Sequence, residues 1–394
     1  MELLRTDYLP VSLIIIPGVL CVVAIIASLL LKQDKLYFYP PVMIPALLLG
    51  VWASFAMAVI GDVNESRPYW LVIVLLFIIP NIITLRIHLV RAGWLLALSL
   101  GAVGLYVFVS KLIVYITGYD VTAEGIHAAT LTIGEKNSVG MWLVMGFPFA
   151  LNLFEYHRFQ FRKRFWLLIS ATFMIAGILA TLSIGAFIGL LVTFALQAWY
   201  QPNVSGRFRY FFFVIALLVM AAIGPLASRL QDRQLLSFNG RGFIWRAAIQ
   251  TIANHPFWGI GSSIMRNQQA MLPYLNDAPF VQYWKNMNLF IVPHNIFLSV
   301  GVEIGIPGLL LYLALLGAVF LSLRRLRLNI KKLPNKTTAL YLTYFSNALI
   351  ISTSSALVQG MALSAHLDKY VWLIFGLIVS TANIVKSSQK EDVA

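Results

Sequence analysis

Charge is what this chain has least of. Only 11% of its 394 residues are Asp, Glu, Lys or Arg, against 60% that are hydrophobic. With a mean hydropathy of +0.82, that composition excludes an ordinary soluble domain and implies a polytopic membrane protein. Carboxylates are scarcer still: 15 Asp and Glu face 29 Lys and Arg, for a formal net charge of +14. In a soluble protein such an excess would suggest nucleic acid. Here it reports the cations that orient membrane spans, so no nucleic-acid partner is expected and membrane lipids are the expected surroundings. A single cysteine, Cys21, excludes an intramolecular disulfide. The first apolar run ends at Lys32-Gln-Asp-Lys35 with no small-residue cleavage site, so no cleavable signal peptide is expected. Internal repeats, heptad arrays and low-complexity tracts are absent.

What is present is a series of apolar runs near the twenty residues needed to cross a bilayer. They lie near residues 9–31, 39–60, 69–85, 92–117, 138–154, 165–181, 183–200, 208–226, 305–323, 339–357 and 370–385. The expected fold class is therefore an all-α polytopic integral membrane protein with about eleven (ten to twelve) transmembrane helices and one long loop containing amphipathic helices. Three regions follow: an N-terminal bundle (1–226), a loop region (227–304), and C-terminal helices with a tail (305–394).

Counting cations on alternate sides of these spans sets the orientation. One side holds eighteen of the twenty-nine, from Lys32 and Lys35 through Arg158, Arg162, Lys163 and Arg164 to Lys386 and Lys390. That side is expected to be cytoplasmic. Of the eleven on the other side, six fall in the long loop: Arg229, Arg233, Arg241, Arg246, Arg266 and Lys285. The loop has only two carboxylates, Asp232 and Asp277. Cations that oppose the orienting bias, beside a membrane and short of counter-charges, form a site for something anionic.

Two stretches of this loop region stand out. In "NGRGFIWRAAIQTIANHPFWGIG", residues 239–261, Phe243, Ile244, Ala247, Ala248, Thr251 and Ile252 recur at helical spacing. The pattern predicts an amphipathic helix with Arg241 near its first turn, ended by His255-Pro256, with Gly259 and Gly261 permitting a tight turn. Backbone N–H groups of that first turn and a guanidinium can together hold phosphate oxygens; the alternative is that Arg241 snorkels to lipid headgroups. In "VPHNIFLSVGVEIGIPGLLLYL", residues 292–313, His294 precedes a short apolar helix and a Gly305-Ile-Pro-Gly308 break. An imidazole there, with an ordinary pKa near ~6.5, can exchange a proton near neutral pH, oriented by Asn295 and Glu303; the alternative is a capping or interfacial histidine. Trp245, Trp258, Tyr274, Tyr283 and Trp284 are read either as platforms for sugar faces or as interface anchors. The outer loop has no Asp/His cluster at metal-ligand spacing, so a metal-independent reaction without a cofactor is expected.

Together, "GR…W…HPFWGIGSS" and "PHNIFLSVGVEIGIPGLLLYL" resemble the C-terminal region shared by the bacterial O-antigen ligase and O-antigen polymerase superfamily. The resemblance covers roughly residues 130–325. Upstream, "TIGEKNSVGMWLVMGFPFAL", residues 132–151, looks like the family segment in which a Lys-Asn pair opens a span, which carries over Lys136 and Asn137. One position departs: where family members commonly show Ser-Arg-Gly, "TLSIGAFIGLL" (181–191) has Ile184 in place of the arginine. Lys136, Arg246, Arg266 and Lys285 are the cations available to compensate.

The resemblance implies transfer of a glycan from undecaprenyl pyrophosphate to an acceptor sugar hydroxyl at the periplasmic face of the bacterial inner membrane. Arg241 would bind the pyrophosphate and His294 would activate the acceptor; Lys136, Asn137, Arg246, Arg266, Lys285, Asn295 and Trp245 would bind substrate. The partners implied are the lipid-linked glycan donor and a glycan or lipid A-core acceptor. A ligase and a repeat-unit polymerase share this donor chemistry and differ in acceptor. A transporter or flippase would carry ionisable groups deep within several spans, whereas these span interiors are nearly free of charge. A membrane scaffold would leave Arg241 and His294 without a task.

Overall fold

In lipid every backbone amide needs a partner within the protein, and a chain this apolar meets that demand with helices. The structure, a computed structural model, describes residues 37–117, 136–200, 239–275 and 292–391. Among the described residues there are helices and no strand. In chain order they are α1 (Pro40–Val59), a short 3-10 turn (Val63–Ser66), α2 (Arg67–Ile82), α3 (Arg86–Thr117), α4 (Lys136–Tyr156), α5 (Phe161–Thr181), α6 (Ile184–Tyr200), α7 (Asn239–Asn254), α8 (Ile264–Met271) followed by a 3-10 turn (Leu272–Leu275), α9 (Ile296–Ile330), α10 (Lys336–Gly360) and α11 (Lys369–Glu391). Seven of these segments are long and apolar enough to cross a membrane. The protein is thus a multi-pass helical membrane protein. The apolar runs at 9–31 and 208–226 lie outside the described residues.

Small and hydroxylated residues set the packing, as expected where lipid supplies no hydrophobic drive between helices. Helix α3 lies against α5 with Gly104 and Gly177 backbone to backbone. Ser170 donates to the carbonyl of Ala97 across the same pair at 2.5 Å. Helix α10 is the centre of one half, packed on α4 and α6. Three of its polar side chains bond to those neighbours: Ser352 donates to Met145 O at 2.6 Å, Ser355 shares a 2.7 Å bond with Thr193, and Asn347 donates to Tyr200 O at 3.3 Å. Such polar content explains why a helix at the expected run 339–357 is buried and yet is not among the seven long, apolar segments.

Helix α9 begins before the apolar run at 305–323 and contains a break. Ile304 (φ −133°, ψ 18°) and Gly305 (φ 72°, ψ −175°) leave helical geometry inside it. Pro307 supplies no N–H and its ring opposes the carbonyl of Glu303, while Gly305 accepts the left-handed φ. Helix α9 is continuous in the chain across this break, from Ile296 to Ile330.

Candidate functional site

A break in a buried helix releases carbonyls that must find donors elsewhere. Here the segment after α7 provides them. Ile260 N–H donates to Val302 O and Gly261 N–H to Glu303 O, both at 2.9 Å, and Ile306 N–H donates back to Pro256 O at 2.7 Å. The indole N–H of Trp52 completes the set by donating to Ile304 O at 2.9 Å. The His255-Pro-Phe-Trp-Gly-Ile-Gly261 stretch is therefore a brace laid along the break. Gly259 (φ 65°) carries it past α9 so closely that a Cβ would stand 2.5 Å from the carbonyl carbon of Glu303.

Helix α7 docks beside the brace through the face the periodicity predicts. Ile244, Ala247 and Ala248 are buried with Ile260, Met271, Leu275 and Val302 in a small core of their own. Thr251 is buried on the same face and donates to Ala247 O at 2.9 Å. Phe243, expected on that face, is instead partly exposed. The docking aims one edge of α7 at the segment preceding α9. Trp245, one turn after Arg241 and on the same edge, donates its indole N–H to Pro293 O at 3.1 Å.

The next residue, His294, has φ 48°, one of two non-glycine residues in the left-handed region among those described. Such a conformation costs on the order of 1–3 kcal/mol and persists only where neighbours enforce it. Two neighbours do. Trp245 holds the carbonyl before His294, and Asn295 after it caps α9, its Oδ1 accepting from Phe297 N–H (2.9 Å) and Leu298 N–H (3.2 Å) while its Nδ2 donates to Met361 O (3.1 Å). The imidazole is largely out of water, and burial, followed by the nearby positive charge of Arg241, pushes its pKa down to about 4. His294 is thus neutral at pH 7, and its titration lies well below the value near ~6.5 expected of an unperturbed imidazole. Arg241 and His294, 53 residues apart in sequence, are brought into electrostatic contact.

The other expected site residues separate into different places. Asn295 and Trp245 lie beside His294, with their polar groups used to hold backbone. Arg246 lies on the exposed face of α7, about 140° around the helix from Arg241. Arg266, on α8, is turned to Asp62 (3.6 Å) and Glu65 (3.5 Å). The corner there is tied further by Glu65, whose carboxylate accepts from Ser263 N–H and whose carbonyl accepts from Ser262 Oγ. Lys136 and Asn137 open α4 at the α5–α6 corner, where Asn137 Oδ1 accepts from Ser183 Oγ at 2.8 Å, beside Ile184. Lys285, with Tyr283 and Trp284, lies outside the described residues. Trp258 is stacked on Trp52 with ring centroids 5.3 Å apart and meets Phe55 edge-on, and Tyr274 OH accepts from Asn254.

Glu303 differs most from expectation. It does not orient His294; one carboxylate oxygen receives Tyr69 OH at 2.7 Å and contacts His366 Nε2 at 3.0 Å. The helix break lies directly after it, so its side chain faces α2 and the α10–α11 connection. Tyr69, His366, Asp62 and Glu65 were not singled out in the sequence. The signal available for the last two was an acid pair in a short connection on the same expected side as the cationic loop.

Residues 168–313 match the O-antigen ligase family. The matched segment runs from α5 through α6, α7 and α8 to the first half of α9, and so contains Arg241, the brace, His294 and the break. No curated protein matches the chain. The O-antigen ligase match and the membrane helices support a membrane glycosyltransferase-like role in polysaccharide assembly.

Proposed function

We propose that the protein is an O-antigen ligase-type glycosyltransferase, working at the periplasmic face of the bacterial inner membrane. It takes a glycan from undecaprenyl pyrophosphate and passes it to an acceptor sugar hydroxyl. The observation that carries this reading is the pairing of Arg241 with a neutral His294 held in a strained backbone. The acceptor O–H attacks the anomeric carbon, a new C–O bond forms, and the bond to the pyrophosphate oxygen breaks with its electron pair. Arg241 receives the charge that grows on the leaving pyrophosphate, and its planar fork can engage two oxygens at once. His294 takes the hydroxyl proton. An imidazole with a pKa near 4 is a weak base, but it is unprotonated across the physiological range, and a bound pyrophosphate would strengthen it by offsetting the Arg241 charge.

The test is a purified, lipid-reconstituted protein supplied with an undecaprenyl-pyrophosphate-linked glycan and a candidate acceptor. Acceptor-dependent release of undecaprenyl pyrophosphate, with the glycan recovered on the acceptor, is the expected result. Movement of intact donor across the bilayer without cleavage would make the protein a flippase and remove the reading. A lipid A-core acceptor marks a ligase, and a second lipid-linked repeat unit marks the polymerase alternative.

A further inference from the structure

The opposite end of α9 carries a second feature that the transfer reaction does not use. A cavity of about 420 Å³ is lined by Tyr200 of α6, Phe320, Leu323, Arg324, Arg327, Leu328 and Lys331 of α9, and Ile350 of α10. Beyond the break at Gly305 the helix runs nineteen further residues to Arg324, a rise of about 28 Å, so this is a different site, well away from His294. Its α9 residues recur at three-to-four spacing and form one stripe, apolar toward the bilayer interior and cationic toward the helix end. Among the described residues no carboxylate lines it and none of Arg324, Arg327 and Lys331 has an ion pair. Arg327 is set in place by the ring of Tyr200, 4.4 Å from its centroid. The volume falls within the range of small-ligand sites.

We infer that this cavity is a binding site for the headgroup of an anionic phospholipid. The phosphate would sit among Arg324, Arg327 and Lys331, with an acyl chain running over Phe320, Leu323 and Ile350. A soluble phosphate would satisfy the cations equally well and leave that apolar floor unused, so the lipid fits both halves of the lining. Cations near a helix C-terminus and on the orienting side of a membrane protein have a simpler explanation in the helix dipole and the orientation rule. Neither of those needs a concave site, and neither distinguishes Arg324 and Arg327 from Arg325 and Lys332, which stand on the same turns outside the cavity.

That difference supplies the experiment. The full-length protein in mild detergent is titrated with dioleoyl-phosphatidylglycerol or dioleoyl-phosphatidylcholine, and bound lipid is counted by native mass spectrometry. The Arg324→Gln/Arg327→Gln variant is expected to lose phosphatidylglycerol affinity by about tenfold or more, whereas Arg325→Gln/Lys332→Gln, with the same charge removed, keeps it. Phosphatidylcholine should bind weakly to all three, and millimolar inorganic phosphate should not displace the lipid. Equal loss in both double variants would reduce the effect to bulk charge and overturn the inference. So would equal retention of the two lipids, and displacement by phosphate would make the site one for a soluble anion. Should the cavity double variant fail to fold, Arg324→Gln alone at its exposed position runs the same comparison against Arg325→Gln.

Discussion

Replacing Gly259 with alanine is the sharpest test of whether the segment after α7 braces the break in α9. The residue has φ 65°, which an L side chain adopts at about 1–2 kcal/mol. Its new Cβ would meet Glu303 C at 2.5 Å, Glu303 O at 2.6 Å and Ile304 N at 2.6 Å. All three are backbone atoms, so no rotamer change relieves the contact, and overpacking adds roughly 1–3 kcal/mol. The alternative is for the brace to lift. That strands the carbonyls of Val302 and Glu303, which lose the Ile260 and Gly261 donors at about 1–3 kcal/mol each when buried. The first route costs about 2–5 kcal/mol and the second about 2–6 kcal/mol, and either falls on the brace rather than on the bundle. Hydrogen-exchange mass spectrometry over residues 256–261 should therefore show protection reduced by about thirtyfold or more. Gly242→Ala is the control: its Cβ meets nothing within 4 Å on an exposed face of α7, so exchange should be unchanged or slightly slower. If Gly259→Ala kept the protection of the control, the brace would not depend on this close approach and the account of the broken helix would fail.

Arg241→Ala should abolish transfer in an inserted, folded protein, and Arg241→Lys should recover little because an ammonium cannot reproduce the two-oxygen fork; a fully active alanine variant in the release assay would make Arg241 a headgroup anchor. His294→Gln should retain donor binding and lower transfer by about two orders of magnitude or more. In the parent, kcat/KM should stay level from pH 8 to 5 and fall below about pH 4, because the depressed pKa keeps His294 unprotonated until then. The limb in kcat should lie higher, since bound pyrophosphate offsets the Arg241 charge that helps hold the pKa down. A single limb near pH 6.5 in both profiles would contradict the burial of the imidazole. Trp245→Phe removes the donor to Pro293 O while keeping an aromatic ring, and should reduce kcat by about tenfold with donor KM little changed; an equal rise in KM would instead point to a ring that touches substrate.

Where a feature depends on local spacing, the chain reads well without its structure. The amphipathic face of α7 was legible because Ile244, Ala247, Ala248 and Thr251 repeat at helical period, and the turn chemistry of His255-Pro256 and Gly259 marked where it stops. The Gly305-Ile-Pro-Gly308 run likewise announced a break in α9. What spacing does not carry is which distant group answers a freed polar atom. Arg266 looked like a free cation of the long loop because Asp62 and Glu65 lie about 200 residues earlier, and Glu303 looked like a companion of His294 because nothing local points to Tyr69 or His366. Trp245 was read through its ring, whereas it is its N–H that holds the carbonyl of Pro293.

The same reasoning explains why the motifs of this region occur together. A membrane helix bent at Ile304 and Gly305 exposes the carbonyls of Val302, Glu303 and Ile304, and unpaired carbonyls there would each carry a penalty of several kcal/mol. The brace removes that penalty, and its attachment fixes where α7 ends and hence where Arg241 and Trp245 face. Trp245 then holds Pro293 O, and the Asn295 cap holds the start of α9, leaving His294 between two clamped neighbours in a conformation it would not choose alone. Satisfying the broken backbone is therefore the physical step that brings a guanidinium and a neutral imidazole from separate segments to one place. A substitution that unpairs the break should disturb that pair without touching either residue, which is why Gly259 tests the site as directly as Arg241 does.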